Sequence, residues 1–189
     1  MVTIRNEAHC DIDAREDLLN RVWGPARFQK TAERLREGRA AAQGLSLIAE
    51  QEEHLVGTVR LWHVCAGPAR PALLLGPLAV DEGWRGRGIG TRLMQRALGA
   101  ARRRGYHAVV LVGDAAYYGR FGFSAEKTGA LWLPGPFEPQ RLLGCELAPG
   151  ALDGAHGLVG ATGRPVATPS LDVLIAGLAR NDSAARHAA

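Results

Sequence analysis

Residues 76–93 read G-P-L-A-V-D-E-G-W-R-G-R-G-I-G-T-R-L, and their reading decides the fold. An apolar strand ends, a glycine-rich turn follows, and a helix opens. Gly86, Gly88 and Gly90 alternate through the turn, so the backbone can approach a ligand without Cβ atoms in the way. The first N–H groups of a helix have no acceptor inside it, and the aligned peptide dipoles make that end electropositive. Such an end binds anions, phosphate above all. Arg85 and Arg87 add charge-assisted donors for phosphate oxygens. The stretch predicts a pyrophosphate cradle.

Immediately before it, Ala72 to Val80 reads as a strand interrupted by Gly76-Pro77. Proline cannot donate to a sheet ladder, and a glycine within a strand marks a bulge or a close backbone approach. The break predicts that this strand splays from its neighbour, leaving a gap for an extended ligand arm. After the cradle, Ile89 to about Arg104 has helical spacing, with Ile89, Leu93, Ala97, Leu98 and Ala101 on one side. Arginines 102 to 104 complement its C-terminal dipole, and Gly105 stops it. His107 to Val112 is an apolar strand of the kind buried in mid-sheet. D-A-A-Y-Y-G-R-F-G-F, residues 114–123, follows as one short helical turn returning to extended chain.

Further out, Val2 to Arg5 reads as an opening strand. A helix capped by Asp13, with Glu16 at capping-box spacing, should stop before Gly24-Pro25. A second helix is expected from about Arg27 to Glu37, with Arg27, Lys30, Arg34 and Arg36 exposed or lining a site. Leu45–Glu50 and Leu55–Val64 form a hairpin across Gln51 to His54. Strands are expected near 130–133 and 142–147. Beyond Pro149 glycines break any period, although residues 171–178 could make an amphipathic helix, and the last nine residues have the composition of a disordered end. The organisation is one domain over residues 1–150 and a C-terminal extension over 151–189. The fold class is α/β (α+β): a mixed, mostly antiparallel sheet with a splayed central strand pair and helices on both faces.

The 189 residues are 47% hydrophobic and 22% charged, as in soluble globular domains. No apolar run nears the ~18 residues that cross a bilayer, and no secretory signal opens the chain. Cys10, Cys65 and Cys145 lack metal or disulfide spacing, so no metal and a cytoplasmic location are expected. The net charge of +4 permits a polyanionic partner. The basic clusters at 27–39 and 85–104 read better as solvated helix faces than as a nucleic-acid surface, because too few aromatics accompany them for base stacking.

The bulged strand ending in Leu78-Ala79-Val80, the R-G-R-G-I-G-T cradle and Y-G-R-F-G-F with Tyr118 four residues before Gly122 together resemble the GNAT superfamily of acetyl-CoA-dependent N-acetyltransferases. G-D-A-A-Y-Y-G-R-F-G-F followed by L-P-G-P is similar to its YhbS-like bacterial subgroup. The resemblance covers roughly residues 2–150. It implies acetyl-CoA as co-substrate, its pyrophosphate on the N–H groups of Arg85, Gly86, Arg87, Gly88, Ile89, Gly90 and Thr91. The pantetheine arm would run along Leu78, Ala79 and Val80, with the Leu78 N–H toward the thioester oxygen. Tyr118 matches the family's general acid. The family's common glutamate base is absent from A-L-L-L-G-P-L-A-V; Asp114, through water, and His63 are the alternatives. Each has a structural role available too, Asp114 as a helix N-cap and His63 as a half-buried strand residue. The family also implies a small-molecule or peptide amine as acceptor, and often a homodimer. Arg27, Lys30 and Arg34 suggest an acceptor bearing a carboxylate or phosphate.

Two other readings compete. A dinucleotide-binding fold lacks its third glycine, since Thr91 stands there, and a P-loop lacks Gly-Lys-Ser/Thr. A non-enzymatic acyl-CoA sensor or recruitment module would explain the missing carboxylate; turnover with any amine separates it from an enzyme.

Overall fold

A computed structural model describes residues 1–166; the expected helix at 171–178 and the terminal segment lie outside the described residues. Strands β1 (Thr3–Asn6), β2 (Ser46–Gln51), β3 (His54–Ala66), β4 (Pro71–Val80), β5 (Ala108–Val112) and β7 (Leu142–Glu146) lie side by side in the order β1-β2-β3-β4-β5-β7. Every neighbouring pair in that path is antiparallel except β4 and β5. Helix α1 (Ile12–Trp23) follows β1, α2 (Ile89–Arg103) connects β4 to β5, and α3 (Ala115–Tyr118) is a single turn after β5.

The sheet has a core on each face because its central strands alternate two apolar sets. Leu61, Leu73 and Leu75 pack with Ile89, Leu93, Met94 and Ala97 of α2. Trp62, Leu74 and Val110 face the opposite way, against Leu131, Leu142, Leu152 and Val159. The β2–β3 hairpin closes on Glu52 and Glu53, both at positive φ (49° and 64°), the left-handed pair that matches the twist of a two-residue hairpin.

Three expectations need correction. The first helix is preceded by Asp11, not capped by Asp13. The Asp11 carboxylate accepts from the Ala8 N–H at 2.7 Å and from both terminal nitrogens of Arg5, so its charge is consumed just upstream. Residues 27–37 form no α-helix but two 3-10 turns, Pro25–Gln29 and Thr31–Leu35, separated by an extended Lys30 at φ −67°, ψ 135°. Along this stretch Leu35 is buried in the core and Ala32 packs against it part-buried, while Phe28 is exposed, so no continuous apolar stripe holds a helix against the sheet. Nor are its arginines all solvated, since Arg27 and Arg36 are buried.

A strand was also missed. β8 (Gly157–Ala161) pairs antiparallel with Val64–Ala66 of β3 and parallel with the short β6 (Leu131–Trp132). It occupies the β3 edge beyond the end of β2. Its five residues, Gly-Leu-Val-Gly-Ala, carry one buried side chain, Val159, too little to make a period.

No helix among the described residues is long and apolar enough to cross a membrane. The three cysteines are free thiols, Cys10 exposed and Cys145 buried.

Candidate functional site

The break in β4 opens the sheet. β4 and β5 are parallel and pair only at Leu73↔Val109 and Leu74↔Val110. Beyond them the two strands diverge. Gly76 sits at the divergence with φ 134°, a conformation that favours glycine, and its carbonyl accepts from the Trp62 indole N–H at 2.6 Å. Past the break β4 stays registered with β3, Val59↔Leu78, Thr58↔Ala79 and Gly57↔Val80. The Asp81 N–H donates to the Val56 carbonyl at 2.9 Å. Antiparallel ladders alternate, so Ala79 points its polar groups at β3 while the N–H groups of Leu78 and Val80 face the gap. A strand edge is left open inside the protein.

That edge leads into the glycine turn. Gly86 and Gly88 have φ 77° and 73°, and no atom lies within 4 Å of where a Cβ on either would stand. Arg92 N–H closes the first helical bond to the Gly88 carbonyl at 3.0 Å. Among the described residues no backbone or side-chain acceptor takes the N–H groups from Gly86 to Thr91. Unpartnered donors at the end of a fifteen-residue helix, over glycines that leave the approach clear, are the donor set a pyrophosphate requires.

Edge and cradle line one cleft of about 1020 Å³. The structure brings Leu78, Ala79, Val80, Arg85, Gly86, Gly88, Ile89, Gly90 and Thr91 to its wall together with Asp114 and Tyr118. Arg87 is not in the wall; its guanidinium stacks on Trp84, 4.7 Å from the ring centroid. Arg120, to which the sequence reading gave no role, does line it and lies 4.1 Å over the Tyr117 ring.

Tyr118 projects from α3 with its ring against Gly113. A Cβ on Gly113 would fall 2.2 Å from the Tyr118 ring, so this glycine makes room for the tyrosine. Burial, then the neighbouring Tyr117, pushes the Tyr118 phenol up to about 12, with Arg141 acting in the opposite sense. Asp114 caps α3, one carboxylate oxygen accepting the Ala116 N–H at 3.0 Å, and lies exposed in the cleft wall. His63 is not in the wall. It pairs with Leu73 on the closed side of the break, its Nε2 3.4 Å from the Tyr106 hydroxyl. Among the described residues no group of three His, Cys, Asp or Glu side chains is placed to hold a metal.

The other end of the cleft is built from the 3-10 segment and the loop before β7. Arg27 is committed there: its guanidinium pairs with Glu16 and Asn20. Arg34 is outside the wall and donates to the Pro134 carbonyl at 2.7 Å. Lys30, Arg36 and Arg141 do face the cleft. The sequence named Arg36 only as exposed or lining a site, because which arginines of 27–39 turn inward depends on the extended residue at Lys30; it gave Arg141 no role.

Comparison with known proteins gives consistent matches. Residues 12–123 match the family model described as Acetyltransferase (GNAT) family. The "Uncharacterized N-acetyltransferase YhbS" of Escherichia coli (strain K12) is 33% identical over 157 residues, spanning 82% of this chain and 93% of that protein. The crystal structure of YhbS from Escherichia coli in complex with CoA is similar with a TM-score of 0.72 at 32% identity, covering 85% of this chain and 89% of that one. A GNAT family acetyltransferase from Brucella melitensis, in complex with acetyl-CoA, has a TM-score of 0.55 at 29% identity, over 76% of this chain and 94% of its own.

Proposed function

Since this chain belongs to the acetyltransferase (GNAT) family and is an N-acetyltransferase, we propose that it transfers the acetyl group of acetyl-CoA to a primary amine by direct attack. The observation that carries this reading is the junction of the open β4 edge with the unpartnered N–H groups from Gly86 to Thr91, within one cleft that also holds Tyr118. Bound acetyl-CoA supplies an activated acetyl thioester. The cradle, with Arg85 and Arg120 beside it, suits the diphosphate. The Leu78 and Val80 edge suits the amide-bearing arm as an added strand. A fixed N–H on Leu78 can hold an oxygen that gains charge in the transition state, the kind of interaction that contributes most to such catalysis.

Tyr118 holds its proton throughout the neutral range and can present it to the departing sulfur. A thiol ionises near ~8.5, so the leaving group needs little acid help. We assign the amine proton, through water, to Asp114, which lines the cleft with Tyr118, in preference to His63 on the closed side of the break. No cysteine lines the cleft, in keeping with attack by the amine itself.

Thermal melting with acetyl-CoA, CoA and NADH in parallel tests the donor assignment. Ligand at 100-fold over Kd adds about 2.7 kcal/mol to native stability. A shift with both CoA compounds and none with NADH is expected; no shift with either CoA compound overturns the proposal.

A further inference from the structure

The acceptor end of the cleft holds more positive charge than its own carboxylates balance. Arg36 is 8% exposed and reaches the break in β4, with Nη1 3.3 Å from the position of a Cβ on Gly76. Its Nη2 pairs with Glu33 at 2.6 Å, while its buried Nε has no hydrogen-bond acceptor among the described residues. Burial pulls this guanidinium below the ordinary arginine value despite Glu33. A buried, incompletely paired cation is costly to keep, and clefts are where such groups serve ligands.

Two further cations stand beside it. Lys30 Nζ lies 3.9 Å over the Trp23 ring and is in none of the salt bridges of the described residues. Burial lowers its ammonium, and so do the charges of Arg36 and Arg141, which line the same cleft. Arg141 pairs loosely with Glu138 at 3.7 Å and its charge also reaches Tyr118. Arg141 thus faces the tyrosine and Arg36 the break, in the one cleft that all of them line.

We propose that Arg36, flanked by Lys30 and Arg141, is a subsite for a carboxylate carried by the acceptor close to its amine, so that the acceptor is a small amino acid-like molecule. This rests on the acetyl-transfer reading above. Lys30, Arg36 and Arg141 have only Glu33 and Glu138 paired with them, so the cluster keeps surplus positive charge. A carboxylate on the acceptor supplies negative charge there. The planar guanidinium also suits a planar carboxylate. Arg27 is held by Glu16, which it shares with Arg15, and its charge adds to the field at Arg36.

The test is acetyl transfer to glycine, β-alanine and phenylalanine against their carboxamides, with 2-aminoethyl phosphate and spermidine alongside. The expected result is a kcat/KM at least about tenfold higher for a carboxylate over its amide, the size of one charge-assisted contact. Arg36→Gln should abolish that preference by raising KM for the carboxylates toward that of the carboxamides, and Arg36→Lys should restore part of it. Arg141→Gln, whose side chain is 49% exposed and so tolerates replacement, should reduce it less. Carboxamides, the phosphate or spermidine preferred, or Arg36→Gln slowing carboxylate and amide alike in a folded protein, overturns the subsite and leaves acetyl transfer standing. Should Arg36→Gln fail to fold, an undiminished preference in Arg141→Gln overturns it instead. Acetyl-CoA that stabilises the fold while no amine is turned over brings down the transfer reading and the subsite together.

Discussion

The two ends of the cleft are made in opposite ways. The donor end is backbone: an open strand edge and a helix terminus, with glycines whose contribution is to be absent. The acceptor end is side chain: Lys30, Arg36 and Arg141 on irregular turns and a loop, held by pairs to Glu33 and Glu138 and by stacking on Trp23. Backbone donors serve any ligand with the right phosphates and are indifferent to most substitutions. Side-chain donors can be exchanged one at a time, so the acceptor end is where the specificity of such a protein can change while the cradle stays as it is. Tyr118 stands where the two meet.

The sharpest way to break that arrangement is at the meeting point. In Gly113→Ala the new methyl would lie 2.2 Å from the Tyr118 ring, so the ring must leave its place. The expected outcome is a fall in kcat of roughly 10²-fold, the low end for loss of a general acid because a thiolate leaves readily, matched by Tyr118→Phe. The melting shift with acetyl-CoA should persist in both. A Gly113→Ala enzyme with full kcat would mean that the phenol's position does not matter to transfer.

A smaller effect separates the two ends. Gly88 has open space around it but φ 73°, so Ala there meets no clash and only the left-handed penalty of about 1–2 kcal/mol. The turn can relieve that strain by rotating, which turns the cradle N–H groups away, and the ligand must restore them. Gly88→Ala should weaken acetyl-CoA binding by roughly 5- to 30-fold, with the carboxylate-over-carboxamide preference and the saturated kcat unchanged. Titration of melting temperature against acetyl-CoA gives the first, steady-state kinetics the second. A changed acceptor preference in this variant would show that the ends are coupled.

The same division explains what could be read from the chain. The cradle, the strand break and Tyr118 were legible because each depends on a local signal: glycine spacing, a Gly-Pro within an apolar run, a tyrosine four residues before a glycine. Which of Arg27, Lys30, Arg34 and Arg36 line the site was not, nor was Arg141, because their place depends on tertiary packing. The charges at 27–39 fit a helical face, yet an extended Lys30 splits the segment into two turns and points Arg27 to Glu16 and Arg36 to the cleft. β8 escaped for a related reason. A strand of Gly-Leu-Val-Gly-Ala is specified by the β3 edge left free past β2, not by its own side chains. Asp114 and His63 were equivalent in sequence; only the β3–β4 register, which seats His63 opposite Leu73 on the closed side of the break, separates them.

The smallest expected effect concerns the proton at the meeting point. Tyr118 has its phenol raised to about 12, chiefly by burial, against an unfolded value of about 10. The folded state thus holds this proton more tightly than the unfolded chain. The resulting stability is fully present below pH ~10 and is lost as the pH rises from there through about 12. In turnover the same shift means that kcat has no descending limb from Tyr118 between neutral pH and ~10, so any rise over that range reports the acceptor amine losing its own proton. The chain has three tyrosines, and an ultraviolet difference titration of the folded protein should therefore show one phenol ionising late. Tyr118→Phe should remove that late step and leave the earlier ones in place. If the step missing from Tyr118→Phe is instead an early one, near the ordinary phenol value, the tyrosine is open to water.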